Sequence, residues 1–406
     1  MSPVRTVDVL VVGAGPAGAS AAITLARAGI DTLVVDKAQF PRDKTCGDGL
    51  TASALRHLEA LGLKPDMVDS WQSAETCWIR SPSGSMTPFR MPSGQGTFIA
   101  VAKRVDLDFA LVELARKAGA EIADGHALTS ATEDHSGVTA EVAGIGEIRA
   151  KYAIGADGMW SPLRKHLGAS QNESYLGEWH AFRQYFSNVG ELAARDMYIS
   201  FEPDLVPGYF WSFPLPGGGA NVGFGIQRTA STKTKEMKSL WDELLHRPHI
   251  VELLGPDAAA DAPHKAWPIP ARVDRVRAST DRALFVGDAV AACDVMSGEG
   301  IGQALITGIG AAELIRDQAD NPNLARLHDQ RVRRSLLADH RMSRLLVKGL
   351  STPRGANMAT SIAAANDWTR RNFARWLFED YPRALVATPR RWHRGAVSQP
   401  GSFLAD

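Results

Sequence analysis

The chain has 406 residues, enough for two or three domains or one large composite fold. Its residues are 45% hydrophobic and 22% charged with a formal net charge of zero, an ordinary balance for a globular protein that gives no reason to expect a nucleic-acid partner. Cys46, Cys77 and Cys293 form no C-x-x-C pair, the N-terminal residues lack a basic region and a cleavage site, and no run of about 18 apolar residues occurs; this predicts no disulfide framework, no metal and a cytoplasmic location without a membrane span.

The first motif is DVLVVGAGPAGASAAITLARAGIDTLVVD, from Asp8 to Asp36. Val9 to Val12 read as a buried strand, Ala17 to Arg27 as a helix, and Thr32 to Val35 as a second strand ending in Asp36. Gly13, Gly15 and Gly18 fall at G-x-G-x-x-G spacing. The first permits a tight turn, the second lets backbone approach a pyrophosphate, and the third lets helix and strand pack closely. The helix N-terminus offers N–H groups to phosphate, and Asp36 is placed to accept hydrogen bonds from a ribose. Together they predict a dinucleotide cradle; a Gly-rich strand–helix turn that serves packing only is the plainer alternative.

An irregular loop, KAQFPRDKTCGDGL, follows from Lys37 to Leu50, and Thr51 caps an amphipathic helix. Cys46, close to Lys44 and to a helix start, has the setting of a thiol with a lowered pKa; a small residue filling a tight loop is the plainer alternative. Residues 77–103 alternate like short antiparallel strands. A helix starts at Arg104 and ends at Gly119, with Arg104 either reaching a cofactor phosphate or solvated at the helix start. Residues 121–154 read as strands with a hairpin at Ser136-Gly137. The last of them runs into Gly155-Ala156-Asp157-Gly158, either a second close approach to a dinucleotide or a simple turn with an Asp cap.

Residues 175–228 read as a sheet rich in aromatic residues. Tyr209, Trp211 and Phe213 alternate, which puts the three rings on one face, either as a wall for an apolar ligand or as plain core. Residues 232–254 read as helical and 267–270 as extended. Ala283 to Val286 form a strand ended by Gly287-Asp288, and Gly298, Gly300 and Gly302 lead into a helix of small residues. From Pro322 the chain reads as helical. Between Asn321 and Asp406 there are 15 Arg/Lys against 6 Asp/Glu. One stripe holds Leu324, Leu327, Leu336, Leu337, Leu345 and Leu346; another holds Trp368, Phe373, Trp376, Leu377 and Tyr381. Either these are solvated helix faces around a small core, or they touch an anionic membrane or an acidic carrier. The last dozen residues read as a flexible end.

GAGPAG with Asp36, GADG at 155–158 and VGD at 286–288 together resemble the FAD-dependent oxidoreductases of the para-hydroxybenzoate-hydroxylase-like fold, over roughly residues 7–316. FPRDKTCGDGL resembles the Cys-Gly-x-Gly loop of geranylgeranyl reductases. Tyr209-x-Trp211-x-Phe213-Pro214, followed by Gly223-Phe224-Gly225, resembles that family's Y-x-W-x-F-P…G-x-G element, and SGEGIGQAL resembles its flavin-facing turn. Where related flavoproteins carry a proline near that turn, this chain has Val295.

The resemblance implies an α/β fold: a Rossmann-like FAD-binding domain with an inserted antiparallel-sheet substrate domain and a C-terminal helical region. The FAD-binding parts are expected at 1–76, 104–174 and 276–320, the substrate domain at 77–103 and 175–275, and the helical region at 321–406. FAD is expected to contact Gly13, Gly15, Ala17, Gly18, Asp36, Lys37, Cys46, Gly47, Arg104, Asp157, Gly158, Gly287, Asp288, Gly298, Gly300 and Ile301. Tyr209, Trp211, Phe213, Pro214 and Gly223 are expected to line an isoprenoid pocket. The implied reaction is reduction of an isolated C=C bond, with Cys46, then Tyr209, as candidate proton donors. No second complete nucleotide-binding unit is present, so the reductant is NADPH docking transiently or a protein donor. An FAD monooxygenase and a non-redox scaffold or cyclase on the same fold are the rival readings; a halogenase would carry W-x-W-x-I-P, which is absent.

Overall fold

A computed structural model describes residues 4–170, 175–228, 234–393 and 395–404. Its first layer is a seven-stranded sheet. The strands Glu121–Asp124, Thr32–Asp36, Arg5–Val12 and Gly146–Gly155 run parallel in that spatial order. The long strand Gly146–Gly155 is shared. Its first half pairs antiparallel with Gly137–Val142, and its last three residues pair parallel with Ala283–Phe285. The C-terminal ends of the three strands that carry the glycine motifs therefore lie side by side. Helix Pro16–Arg27 packs between the sheet, helix Arg104–Ala118 and the small-residue helix Ile301–Gln318. The last contact is close because both helices are poor in large side chains: a Cβ on Gly308 would stand 2.1 Å from the carbonyl oxygen of Ala17.

The second layer is an eight-stranded sheet whose centre is Gly177–Ser187, Gly219–Gln227, Tyr209–Leu215 and Met197–Ser200. Thr76–Arg80 joins Met197–Ser200 in parallel, and Met86–Arg90 forms the edge. Ile99–Val101 belongs instead to a small sheet with Gly49–Leu50 and Gln72–Ala74. That small sheet ties the cysteine loop to the segment between the two large sheets.

The C-terminal region holds helices Leu324–Leu350, Pro353–Ala364 and Asp367–Leu377. One expectation fails here. The chain end is not loose: Gly401 donates to Gln95 O at 2.7 Å, Thr97 and Ser402 exchange both backbone bonds, and the Phe403 ring stands edge-on to Trp71 at 5.5 Å. Each stripe has an exposed member: Leu345 is 64% and Trp368 71% exposed. The start of the helical stretch expected at 232–254 lies outside the described residues; the rest forms Thr234–Leu245 and Pro248–Leu254.

Candidate active site

At the glycine cradle, absent side chains make the geometry. Gly13 has φ +101°, and a Cβ there would stand 2.3 Å from the carbonyl oxygen of Ala156. A Cβ on Gly18 would stand 1.7 Å from the carbonyl oxygen of Gly13. These two contacts lock the first turn against the GADG turn and press the helix onto its strand. Gly15 is different: the nearest atom to its missing Cβ is the Arg42 guanidinium, at 3.5 Å. The helix behind it has no side-chain cap, so its first N–H groups are available to an anion. Asp36 accepts from Ala14 N at 2.7 Å with one oxygen and from Ala38 N at 2.8 Å with the other, and each keeps a lone pair for a hydroxyl group.

Two guanidinium groups stand at this end. Arg104 is buried and held by Asp108 through two bonds of 2.7 Å, so it is not a solvated helix start. Arg42 reaches the same Asp108 at 2.8 Å. Asp157 caps backbone with one oxygen, at 2.9 Å from Leu163 N, while its buried Oδ1 has no hydrogen-bond partner among the described residues. Burial pushes its pKa up. Asp288 accepts from Lys44 at 3.0 Å and from the Cys293 thiol at 3.4 Å. Burial opposes its ionisation, but Lys44 overcomes this and holds the carboxyl below its usual range. Gly15's open front, the paired guanidinium groups and the orphaned Asp157 oxygen fit the adenosine, pyrophosphate and ribityl parts of FAD.

One cavity of about 680 Å³ runs from this cradle into the antiparallel sheet. The structure places Gly13, Gly15, Ala17, Asp36, Lys37, Cys46, Gly47, Arg104, Asp157, Gly158, Asp288, Gly298, Gly300 and Ile301 on its lining. Gly18 and Gly287 lie behind it as packing positions; a Cβ on Gly287 would meet Ala17 at 3.0 Å. Tyr209, Trp211 and Phe213 line the other end, with ring centroids 6.0 and 6.2 Å apart along the strand. Pro214 alternates to the opposite side of the strand. Gly223 sits behind Trp211, where a Cβ would stand 2.3 Å from the indole and 2.2 Å from the carbonyl oxygen of Phe182. The C-terminal helices complete the apolar lining with Leu346, Leu350, Phe373 and Trp376.

The cysteine loop joins the two ends. A Cβ on Gly47 would meet Trp211 at 3.5 Å, and one on Gly49 would meet Phe213 at 3.1 Å, so the loop lies flat against the aromatic strand. Asn221 clamps it there. Its amide donates to Cys46 O at 2.9 Å and to Asp48 Oδ2 at 2.8 Å, and its oxygen accepts from Trp211 Nε1 at 3.1 Å. Tyr185 donates to the same Asp48 oxygen at 2.7 Å. Asp43 accepts two bonds from buried Arg183, at 2.7 and 2.8 Å.

Burial raises the pKa of Cys46, Asp48, Tyr209 and Glu299 in this region. Burial, and then the Asp48 charge, push the Cys46 thiol up, not down as its sequence neighbours suggest, and outweigh the opposing pull of Arg104 and Lys44. Burial raises Asp48 to about 6 against the hydrogen bonds that favour its charge. Burial also raises Tyr209, whose hydroxyl donates to the carbonyl oxygen of Ser297 in the SGEG turn. Glu299 of that turn accepts from Gly302 N at 2.8 Å, and burial and the nearby Glu379 raise it.

Sequence reasoning did not single out Arg42, Asp48, Asp108, Asn221 or Glu299, and took Lys44 only as a neighbour of Cys46. Arg42, Lys44 and Asp48 lie within the quoted loop motif, and Asn221 lies in the spacer before Gly223. Asp108, four residues after Arg104 on a helix, carried the signal of an ion pair.

The FAD binding domain family matches residues 6–335. Menaquinone reductase of Mycobacterium tuberculosis is 35% identical over 350 residues, covering 84% of this chain and 81% of that protein. Digeranylgeranylglycerophospholipid reductase 1 of Methanopyrus kandleri is 33% identical over 317 residues, covering 76% and 80%. Among solved structures, a geranylgeranyl bacteriochlorophyll reductase-like protein of Thermoplasma acidophilum has the same fold, with a TM-score of 0.82 at 21% identity over 96% of this chain and 100% of that one. The glycine cradle, the cysteine loop laid on its aromatic strand and these relatives agree: the chain belongs to the geranylgeranyl reductase family of FAD-dependent oxidoreductases.

Proposed function

We propose that this flavoprotein reduces isolated C=C bonds in an isoprenoid or prenyl-chain substrate. The observation that carries the reading is the single cavity that leads from the dinucleotide cradle to the Tyr209, Trp211 and Phe213 wall, with Cys46 at the junction. Reduced FAD, when bound, supplies the hydride. Gly15 with the helix behind it, Arg42, Arg104, Asp36, Asp157 and Asp288 hold the cofactor. The alkene carbon that does not receive hydride gains positive charge and then a proton, which completes the saturated bond. Tyr209, Trp211 and Phe213 exclude water and offer ring faces to that charge. The proton comes from Cys46 Sγ, a thiol kept neutral by its burial and by Asp48. Tyr209 is the second candidate for this role. The reductant that recharges the flavin is NADPH or a protein donor.

The test is anaerobic. The flavin is reduced with dithionite, excess is removed, and a geranylgeranyl compound is added while the oxidised flavin band is followed. Reoxidation without oxygen, with a product two hydrogens heavier, is the expected result. An oxygenated product formed only after air is admitted would replace this reading with the monooxygenase one. Cys46→Ser is expected to retain FAD and to lose turnover by about 10²- to 10⁴-fold, the usual worth of a general acid. Full turnover in that variant would move the role to Tyr209, with Tyr209→Phe as its check.

A further inference from the structure

The three C-terminal helices wall the cavity with one set of residues and face solvent with another. Leu346 and Leu350 line the cavity, while Leu345 beside them is 64% exposed. Ala359 and Thr360 line it, while Met358 and Ile362 on the same helix are 65% and 61% exposed. Phe373 and Trp376 line it, while Trp368 on that helix is 71% exposed. Single surface apolar residues are unremarked in most proteins; four long ones this bare on consecutive, mutually packed helices mark an interaction surface.

The charge around them is one-sided. Between residues 341 and 372 six Arg and Lys stand against Asp367 alone; Arg344 pairs with Glu178 and Arg370 with Asp367, while Arg341, Lys348, Arg354 and Arg371 are exposed. Helical spacing puts Arg341 and Lys348 beside Leu345, and Arg371 beside Trp368. Apolar side chains rimmed by Arg and Lys match the boundary of an anionic bilayer, where the apolar groups enter the acyl region and the cations meet lipid phosphates. A second copy of the chain would set the same cations against each other, so the pattern disfavours a homodimer at this face.

We propose that this helical face docks on an anionic lipid surface, so that the cavity it walls adjoins the lipid and receives an apolar chain without passage through water. The delivery of substrate rests on the proposed function; the docking does not.

The test is co-sedimentation of the FAD-loaded protein with vesicles of phosphatidylglycerol and phosphatidylcholine, against vesicles of phosphatidylcholine alone. Binding to the mixed vesicles is expected. It should weaken at least tenfold in Trp368→Ser and in Met358→Ser/Ile362→Ser, and also in Lys348→Glu/Arg371→Glu. Retained flavin absorbance checks that each variant is folded. Turnover of a short, detergent-dispersed prenyl compound should be unchanged in these variants. If that compound is not turned over even by the unaltered protein, the functional reading fails while sedimentation still reports on docking. No binding to anionic vesicles, equal binding by the apolar variants, or a dimer in light scattering that the same substitutions split would each overturn the proposal.

Discussion

The two ends of the cavity are built by opposite means. At the cradle, backbone meets backbone: Gly13, Gly18 and Gly308 are sites where one carbon more would collide with a main-chain oxygen. At the aromatic wall, three large rings make the surface, and a small polar set, Asn221, Asp48 and Tyr185, fixes where it sits against the cysteine loop. A backbone-built site has no rotamers to adjust, whereas a side-chain wall can shift and still exclude water. Damage to the first should therefore abolish cofactor binding, and damage to the second should spare the cofactor and alter turnover.

The largest effect is expected from Gly18→Ala. Its methyl would stand 1.7 Å from the Gly13 oxygen, and neither backbone segment can yield without opening the helix–strand contact. Overpacking of this kind costs about 1–3 kcal/mol. The protein should emerge from gel filtration without flavin, measured by visible absorbance, and melt at a lower temperature. Flavin retained at the normal ratio would show that the cradle adjusts and would erase the contrast.

Gly223→Ala should break the wall alone. The new methyl pushes on the Trp211 indole from 2.3 Å and on the Phe182 backbone from 2.2 Å. FAD should remain bound, while turnover of the prenyl compound falls on the order of 10²-fold, as misplacement by about 1 Å can cost that much. Loss of flavin in this variant would show that the two ends are coupled through the loop.

A smaller effect sharpens the comparison at the clamp. Asp48 titrates at about 6 in the folded protein and near about 4 when unfolded. The folded state thus binds this proton more tightly. Its stabilising contribution is complete below about pH 4 and is lost as pH rises through about 6, on the order of 2–3 kcal/mol in all. Asp48→Asn keeps an oxygen to accept from Tyr185 and Asn221 but cannot ionise. The variant should lose that part of the pH slope of the denaturation midpoint between about pH 4 and 6. An unchanged slope would mean that Asp48 is ionised throughout.

The glycine motifs were legible in sequence because each requirement is local. A turn of a few residues with no room for Cβ leaves the same mark wherever it occurs, and strand, turn and helix are contiguous. The alternation of Tyr209, Trp211 and Phe213 was legible for the same reason, since facing is set by a period of two. The strands before residue 103 were only partly so. Thr76–Arg80 and Met86–Arg90 join the large antiparallel sheet, while Ile99–Val101 pairs with Gly49–Leu50, and pairing partners leave no local signature. The pKa of Cys46 was misread because burial, which no local pattern shows, raises the thiol and, with Asp48, outweighs Lys44 beside it in sequence.

By itself, then, the sequence determined the dinucleotide cradle, the fold built on it and the family, because these rest on spacing within short segments. The tertiary structure alone decided that cradle and aromatic wall share one cavity, that Asn221 and Asp48 hold the cysteine loop to that wall, and that the C-terminal helices close it while baring Leu345, Met358, Ile362 and Trp368. Each of these depends on which distant segments meet, and burial, charge pairing and exposure exist only once they have met.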